Sequence, residues 1–115
     1  MLYAFSPDRS RIKDPANPLE YLYGYPGDNY VDIIGVDNYF DVGSHWNTKP
    51  LDQQSVSFIK SLEVIVQIAE ERGKIPALTE TGLDKLHIDD WWMDVILAGV
   101  DANELTRRIA YLLVW

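Results

Sequence analysis

Two apolar runs with a long amphipathic segment between them set the terms for this chain's fold. The run Val31–Val36, VDIIGV, is β-branched and nearly unbroken in apolar character, as a strand covered on both faces requires. From Asp52 to Arg72, apolar residues recur at 56, 59, 62, 65, 66 and 69. Spacings of three and four mark one wide helical stripe, and Gly73 fits a left-handed helix stop. Ile75–Thr79, IPALT, then reads as another buried strand. A helix carrying the chain back between two buried strands implies a parallel pair.

The rest of the chain extends this alternation. Leu2–Phe5 reads as a first strand, halted by Ser6 and Pro7, and Asp8–Asn17 reads as loop. Asn17 is placed to cap a short helix through PLEYLYG, with Pro18 at its first position. YPGD at 25–28 is a turn, and Phe40–Pro50 is a polar and aromatic loop. Asp89 or Asp90 is expected to cap a helix through WWMDVILAG that stops near Gly99. RIAYLLVW, from Arg108, closes the chain as a fourth strand. Two α/β architectures fit: an open doubly wound sheet, or part of a (β/α)8 barrel. A whole barrel typically takes ~250 residues, about twice what 115 residues supply.

Composition removes several function classes. The net charge of −8, with no cluster of Lys and Arg on any element, argues against nucleic acid as a partner. Cysteine is absent, so neither disulfides nor thiolate chemistry is available. No apolar run approaches the roughly 20 residues of a membrane span. MLYAFSPDR lacks the layout of a signal peptide; the chain is expected to be cytosolic or to have its leader outside these residues, and the compartment stays undecided. Gly24, Gly27 and Gly35 form no phosphate loop. His45 and His87 stand alone in the sequence, without a partner at metal-ligand spacing.

The polar residues gather at the carboxyl ends of the expected strands. The first strand runs into Ser6-Pro7-Asp8, the second into Asp37-Asn38-Tyr39, the third into Glu80 and the fourth into Trp115. That edge is where parallel sheets and barrels build their sites. Carboxylates beside flat rings suit glycoside hydrolysis, which needs acids flanking the bond and platforms for the sugar. Taken singly, Glu80 is as suited to capping as to chemistry, Asp37 to orienting a neighbour, and Tyr39 and Trp115 to packing. Trp91 and Trp92 read as core. Convergence on one edge favours the site.

YLYGYPGDNYVDIIGVDNYF, KIPALTETG and IAYLLVW together resemble the C-terminal half of the catalytic barrel of a glycoside hydrolase family 26 β-mannanase, over residues 2–115. The resemblance implies a (β/α)8 barrel of which residues 1–115 form strands five to eight. It implies retaining hydrolysis of β-1,4-mannosidic bonds in mannan, galactomannan or glucomannan, without a cofactor or metal. Glu80 matches the family's nucleophile and Tyr39 the tyrosine that orients it. Asp37 and Trp115 match residues that bind substrate. The parent family usually acts outside the cytoplasm, secreted or periplasmic.

One departure qualifies the resemblance. The family's general acid/base lies at the end of the fourth strand, and no residue here matches it. The expectation is therefore a fragment that carries the nucleophile and is inactive by itself. Its exposed strand edges are expected to drive self-association. The alternatives are a non-catalytic mannan-binding or degenerate α/β module, and an α/β interaction domain with no sugar site.

Overall fold

A computed structural model describes residues 1–115. Its four strands are β1 (Ala4–Phe5), β2 (Ile33–Asp37), β3 (Ile75–Thr81) and β4 (Tyr111–Val114). They form one sheet in the order β1-β2-β3-β4, and every neighbouring pair is parallel. The helices are the short α1 (Pro18–Tyr21), the long α2 (Leu51–Glu71) and α3 (Ala98–Val100). A π-helical segment, Trp92–Leu97, leads directly into α3. No helix is long and apolar enough to cross a membrane.

The core lies between the sheet and α2. Ile34, Val36 and Leu78 from β2 and β3 meet Phe58, Leu62, Ile65, Ile68 and Ala69, all buried. The buried stripe of α2 also includes Gln54 and Ser61, whereas Val56, expected on that stripe, is 67% exposed. Both polar exceptions are satisfied, which is what makes their burial tolerable. Gln54 Oε1 accepts from Gly43 N at 2.8 Å, and Ser61 Oγ accepts from Asn38 Nδ2 at 3.2 Å. The helix therefore packs its polar residues toward the loop that follows β2, and holds that loop in place.

Local starts and stops mostly follow the residues. Asn17 Oδ1 accepts from Leu19 N at 3.1 Å, with Pro18 at the first helical position. Gly73 adopts φ +66° after α2, where a side chain would be strained. Two boundaries differ from expectation. Arg108 lies in a short 3-10 turn, so β4 begins at Tyr111. Neither Asp89 nor Asp90 caps the third helix by its side chain; Asp90 takes φ +52° and its carbonyl accepts from Asp94 N at 2.8 Å. Of the tryptophan pair, Trp91 is buried and donates Nε1 to Val42 O at 2.7 Å, while Trp92 is 42% exposed.

A buried ion pair ties the turn after β1 to the loop after β2. Arg9 Nε lies 2.7 Å from Asp41 Oδ2, off the ideal hydrogen-bond line, and Arg9 Nη1 donates to Ile12 O at 2.7 Å. Asp41 also accepts from Asn38 Nδ2 at 3.2 Å. Burial raises the Asp41 pKa even so. A pair of this kind is costly to break by removing one partner, by about 3–5 kcal/mol.

The outer edges of β1 and β4 have no neighbouring strand. Leu2, Tyr3, Leu113, Val114 and Trp115 are exposed along them. A broad cavity of about 960 Å3 borders β1 and is lined in part by Phe5, Ile12, Leu19 and Tyr23.

Candidate active site

A bulge in β3 decides which residues meet at the sheet's carboxyl edge. Val36 pairs with Leu78, but Asp37 pairs with Glu80, so Thr79 is an extra residue on β3. The pairing with β4 carries the same insertion: Leu78 faces Leu112 and Thr81 faces Val114. A bulge of this kind re-aims the side chains beyond it. Here it brings Glu80 level with Asp37 on neighbouring strands. Thr79 itself hydrogen-bonds through its hydroxyl to Ser6 Oγ.

Backbone contacts fix the ends of all four strands around this point. Asp37 N donates to Pro7 O at 3.0 Å, Asn38 N to Glu80 O at 2.9 Å, and Trp115 N to Thr81 O at 2.9 Å. Thr81 Oγ1 donates to Asn38 O at 2.8 Å. Gly82 then passes through a narrow gap. A Cβ there would stand 2.6 Å from Trp115 O and 2.9 Å from the Tyr39 ring.

Asp37, Tyr39 and Glu80 are brought together on this frame. Tyr39 Oη donates to Glu80 Oε2 at 3.2 Å. Partial burial, and next the accepting and charged Glu80, push the Tyr39 phenol up to about 12. It therefore stays a donor throughout the neutral range. Asp37 is pushed up to about 6, by burial first and then by the charges of Glu80 and Asp8. Its Oδ1 is buried and has no hydrogen-bond partner. This is a carboxylate crowded by others of its sign, a common condition in functional sites.

Trp115 is joined to the group by its backbone. Its side chain is left largely in solvent, the residue being 79% exposed, and it lines neither of the two cavities beside Tyr39. One of those cavities, about 300 Å3, is lined by Asp8, Ser10, Asp37, Tyr39, Phe40, Ser44 and Trp46. Trp46 was not singled out by its sequence context. The signal was an aromatic in the polar loop after β2, a place where loops carry function. His45 and His87, isolated in the sequence, are stacked in space with ring centroids 4.3 Å apart. No group of three or more His, Asp or Glu side chains is gathered as metal ligands would be.

The sequence profile described as glycosyl hydrolase family 26 matches residues 1–109, nearly the whole chain. The chain belongs to glycosyl hydrolase family 26. A mannan endo-1,4-beta-mannosidase of Bifidobacterium adolescentis is 38% identical over 88 residues, which cover 71% of this chain and 8% of that protein. Among solved structures, GH26C from Muricauda sp. MAR_2010_75 is similar with a TM-score of 0.80 and 32% identity, over 100% of this chain and 29% of its own. A modular endo-beta-1,4-mannanase from Cellulomonas fimi gives a TM-score of 0.81 at 32% identity, over 99% of this chain and 24% of its own. Residues 1–115 thus span under a third of these family 26 relatives, and the sheet of four parallel strands is the corresponding part of their barrel.

Proposed function

We propose that these residues are strands five to eight of a family 26 β-mannanase barrel, with Glu80 as the nucleophile of retaining hydrolysis of β-1,4-mannosidic bonds. The observation that carries the reading is the Tyr39–Glu80 hydrogen bond beside Asp37. A nucleophilic carboxylate must stay ionised and point at the anomeric carbon. A donor that keeps its proton near neutral pH, as Tyr39 does, fixes the carboxylate's direction. In the first step Glu80 forms a bond to the anomeric carbon as the bond to the leaving oxygen breaks. Asp37, crowded by charge, lines the cleft and binds substrate hydroxyls. Trp115 supplies a platform for the reacting mannose.

Retention also requires a second carboxyl, acting first as acid and then as base, ~5–5.5 Å from the nucleophile. No residue of this chain matches the family's acid/base, and Asp37 orients rather than protonates. The 115 residues by themselves are therefore expected to release few or no reducing ends from mannan. Turnover by the purified chain that Glu80→Ala abolishes would contradict this division of labour. Mannooligosaccharide binding without hydrolysis would agree with it.

The open edges carry a second part of the proposal. Unpaired strand edges are templates for another chain, and here both are flanked by exposed apolar residues. The isolated chain self-associates through β1 and β4, two copies closing a ring of eight strands. Sedimentation of the purified chain should give a dimer mass; a sharp monomer with cooperative unfolding would rule the ring out.

A further inference from the structure

Strand β3 does not alternate its faces to the end. Leu78 is buried in the core against α2 and Thr81 is buried as well, but Thr79 and Glu80 between them are both half-buried. In a regular strand successive side chains take opposite faces. That rule would send Glu80 to the side of Leu78, into the apolar core. The extra residue removes the conflict, because Asp37 pairs with Glu80 rather than with Thr79. A change of register by one residue exchanges the two faces. The bulge therefore presents the Glu80 carboxylate on the face away from α2, where it meets Tyr39.

The bulge is accommodated by a gap on β2. Gly35 is buried and does not adopt a positive φ, so its missing side chain serves space rather than backbone conformation. A Cβ there would stand 2.6 Å from Thr79 Oγ1 and 3.0 Å from Thr79 Cβ. The Thr79 side chain thus lies over the bare backbone of β2. On the far side of that strand Phe5 pairs with Ile34, so the next residue, Ser6, stands level with Gly35. The hydroxyls of Ser6 and Thr79 hydrogen-bond across the gap. Ser6 is a fixed anchor, since Asp37 N donates to the neighbouring Pro7 O at 3.0 Å. Three strands are tied at one point, next to Glu80.

We propose that Thr79 is a positioning residue: its hydroxyl, tied to Ser6 across Gly35, holds β3 in the bulged register that turns the Glu80 carboxylate out of the core. The inference rests on the reading of Glu80 as nucleophile only for its catalytic consequence. The placement of the carboxylate beside Asp37 is a matter of geometry and can be read separately.

The test compares the parent chain with four variants. Thr79→Val keeps the side chain's shape and loses the hydroxyl, Ser6→Ala loses the partner, a double variant loses both, and Thr79→Ser keeps the hydroxyl. Ser6 is exposed, so Ser6→Ala leaves the core untouched, and a thermal midpoint is recorded for each protein. Two quantities are read. One is release of dinitrophenolate, which departs without a proton, from an activated β-mannoside. The other is titration of the Asp37 carboxyl by carbon NMR.

Thr79→Val and Ser6→Ala should each slow release by roughly 2- to 10-fold, the span of one neutral hydrogen bond, with mannoside binding changed by less than about twofold. The double variant should be no slower than the slower single one, because both remove the same contact, and Thr79→Ser should stay within about twofold of the parent. In each slowed variant Asp37 should titrate below its parent value of about 6, which burial raises first and the Glu80 charge next. A lower thermal midpoint with release and Asp37 both unmoved would show that the tie only stabilises, and would overturn the proposal. Additive losses in the double variant would overturn it too. If the parent releases no dinitrophenolate, the nucleophile reading fails, and the Asp37 titration still decides the tie. A downward shift in Thr79→Val and Ser6→Ala then upholds it, and an unchanged titration overturns it.

Discussion

Tyr39 Oη donates to Glu80 Oε2 over 3.2 Å, although the two residues are 41 apart in sequence. They meet because Thr79 bulges out of β3 and sets Glu80 opposite Asp37, two residues before the tyrosine. The contact therefore depends on register, on a donor hydroxyl and on space for the ring. Each can be altered separately.

Tyr39→Phe removes only the hydroxyl. A hydrogen bond to a charged group is worth about 1.5–3 kcal/mol, which is roughly a 10- to 100-fold fall in the rate at which Glu80 attacks an activated mannoside. Binding of the same mannoside should change much less. Stopped-flow measurement of leaving-group release separates the two; an equal loss in both would mean that Tyr39 serves binding rather than orientation.

Gly82→Ala tests the space. The added methyl meets Trp115 O and the Tyr39 ring at 2.6 and 2.9 Å, and overpacking of this kind costs about 1–3 kcal/mol. A lower urea midpoint is expected, together with slower attack by Glu80, since Tyr39 has to move. A variant with the parent's midpoint and rate would show that Tyr39 and the Trp115 carbonyl yield to a methyl group at no cost.

Asp37 makes stability depend on pH. Its folded pKa is raised from 3.8 to about 6, so between those values the folded chain binds more protons than the unfolded one. Stability contributed by this residue is present below about 4 and is lost as pH rises through about 6. Asp37→Asn should therefore gain stability relative to the parent at pH 7 and gain none at pH 3.5. Urea unfolding at the two pH values checks the sign; a gain of the same size at both would place the strain elsewhere.

Much of this architecture is legible in the residues, and the exceptions have physical causes. VDIIGV, the stripe of α2 and IPALT are long and periodic, and β2, α2 and β3 lie within two residues of their expected bounds. Convergence of Asp37, Tyr39 and Glu80 follows from their places at strand ends. The bulge is not legible, because IPALTET has the same apolar pattern with or without it. Val56 and Gln54 exchange places for a tertiary reason: buried Gln54 serves Gly43 N and Lys49 O, partners distant from any helical pattern. The third helix winds as a π-helix after three residues, Lys85, Leu86 and Asp90, at positive φ. None of the three is glycine, so composition does not announce the turn. The His45–His87 stack joins two loops 42 residues apart, and nothing in either loop's own sequence indicates it.

The central claim is that Glu80 is the nucleophile, with a role separable from that of the acid. The most direct measurement uses a β-mannoside with a dinitrophenolate leaving group and a 2-fluoro substituent. Dinitrophenolate departs with the bonding pair and needs no proton, so an acid is not required for the first step. The fluorine slows both steps by opposing the oxocarbenium-like transition state, so the glycosyl-enzyme accumulates. Mass spectrometry of the treated chain should show one fluoromannosyl group per chain, on the peptide containing Glu80, and none on Glu80→Gln. An unmodified chain that binds the mannoside, or a label on any other carboxylate, would contradict the assignment.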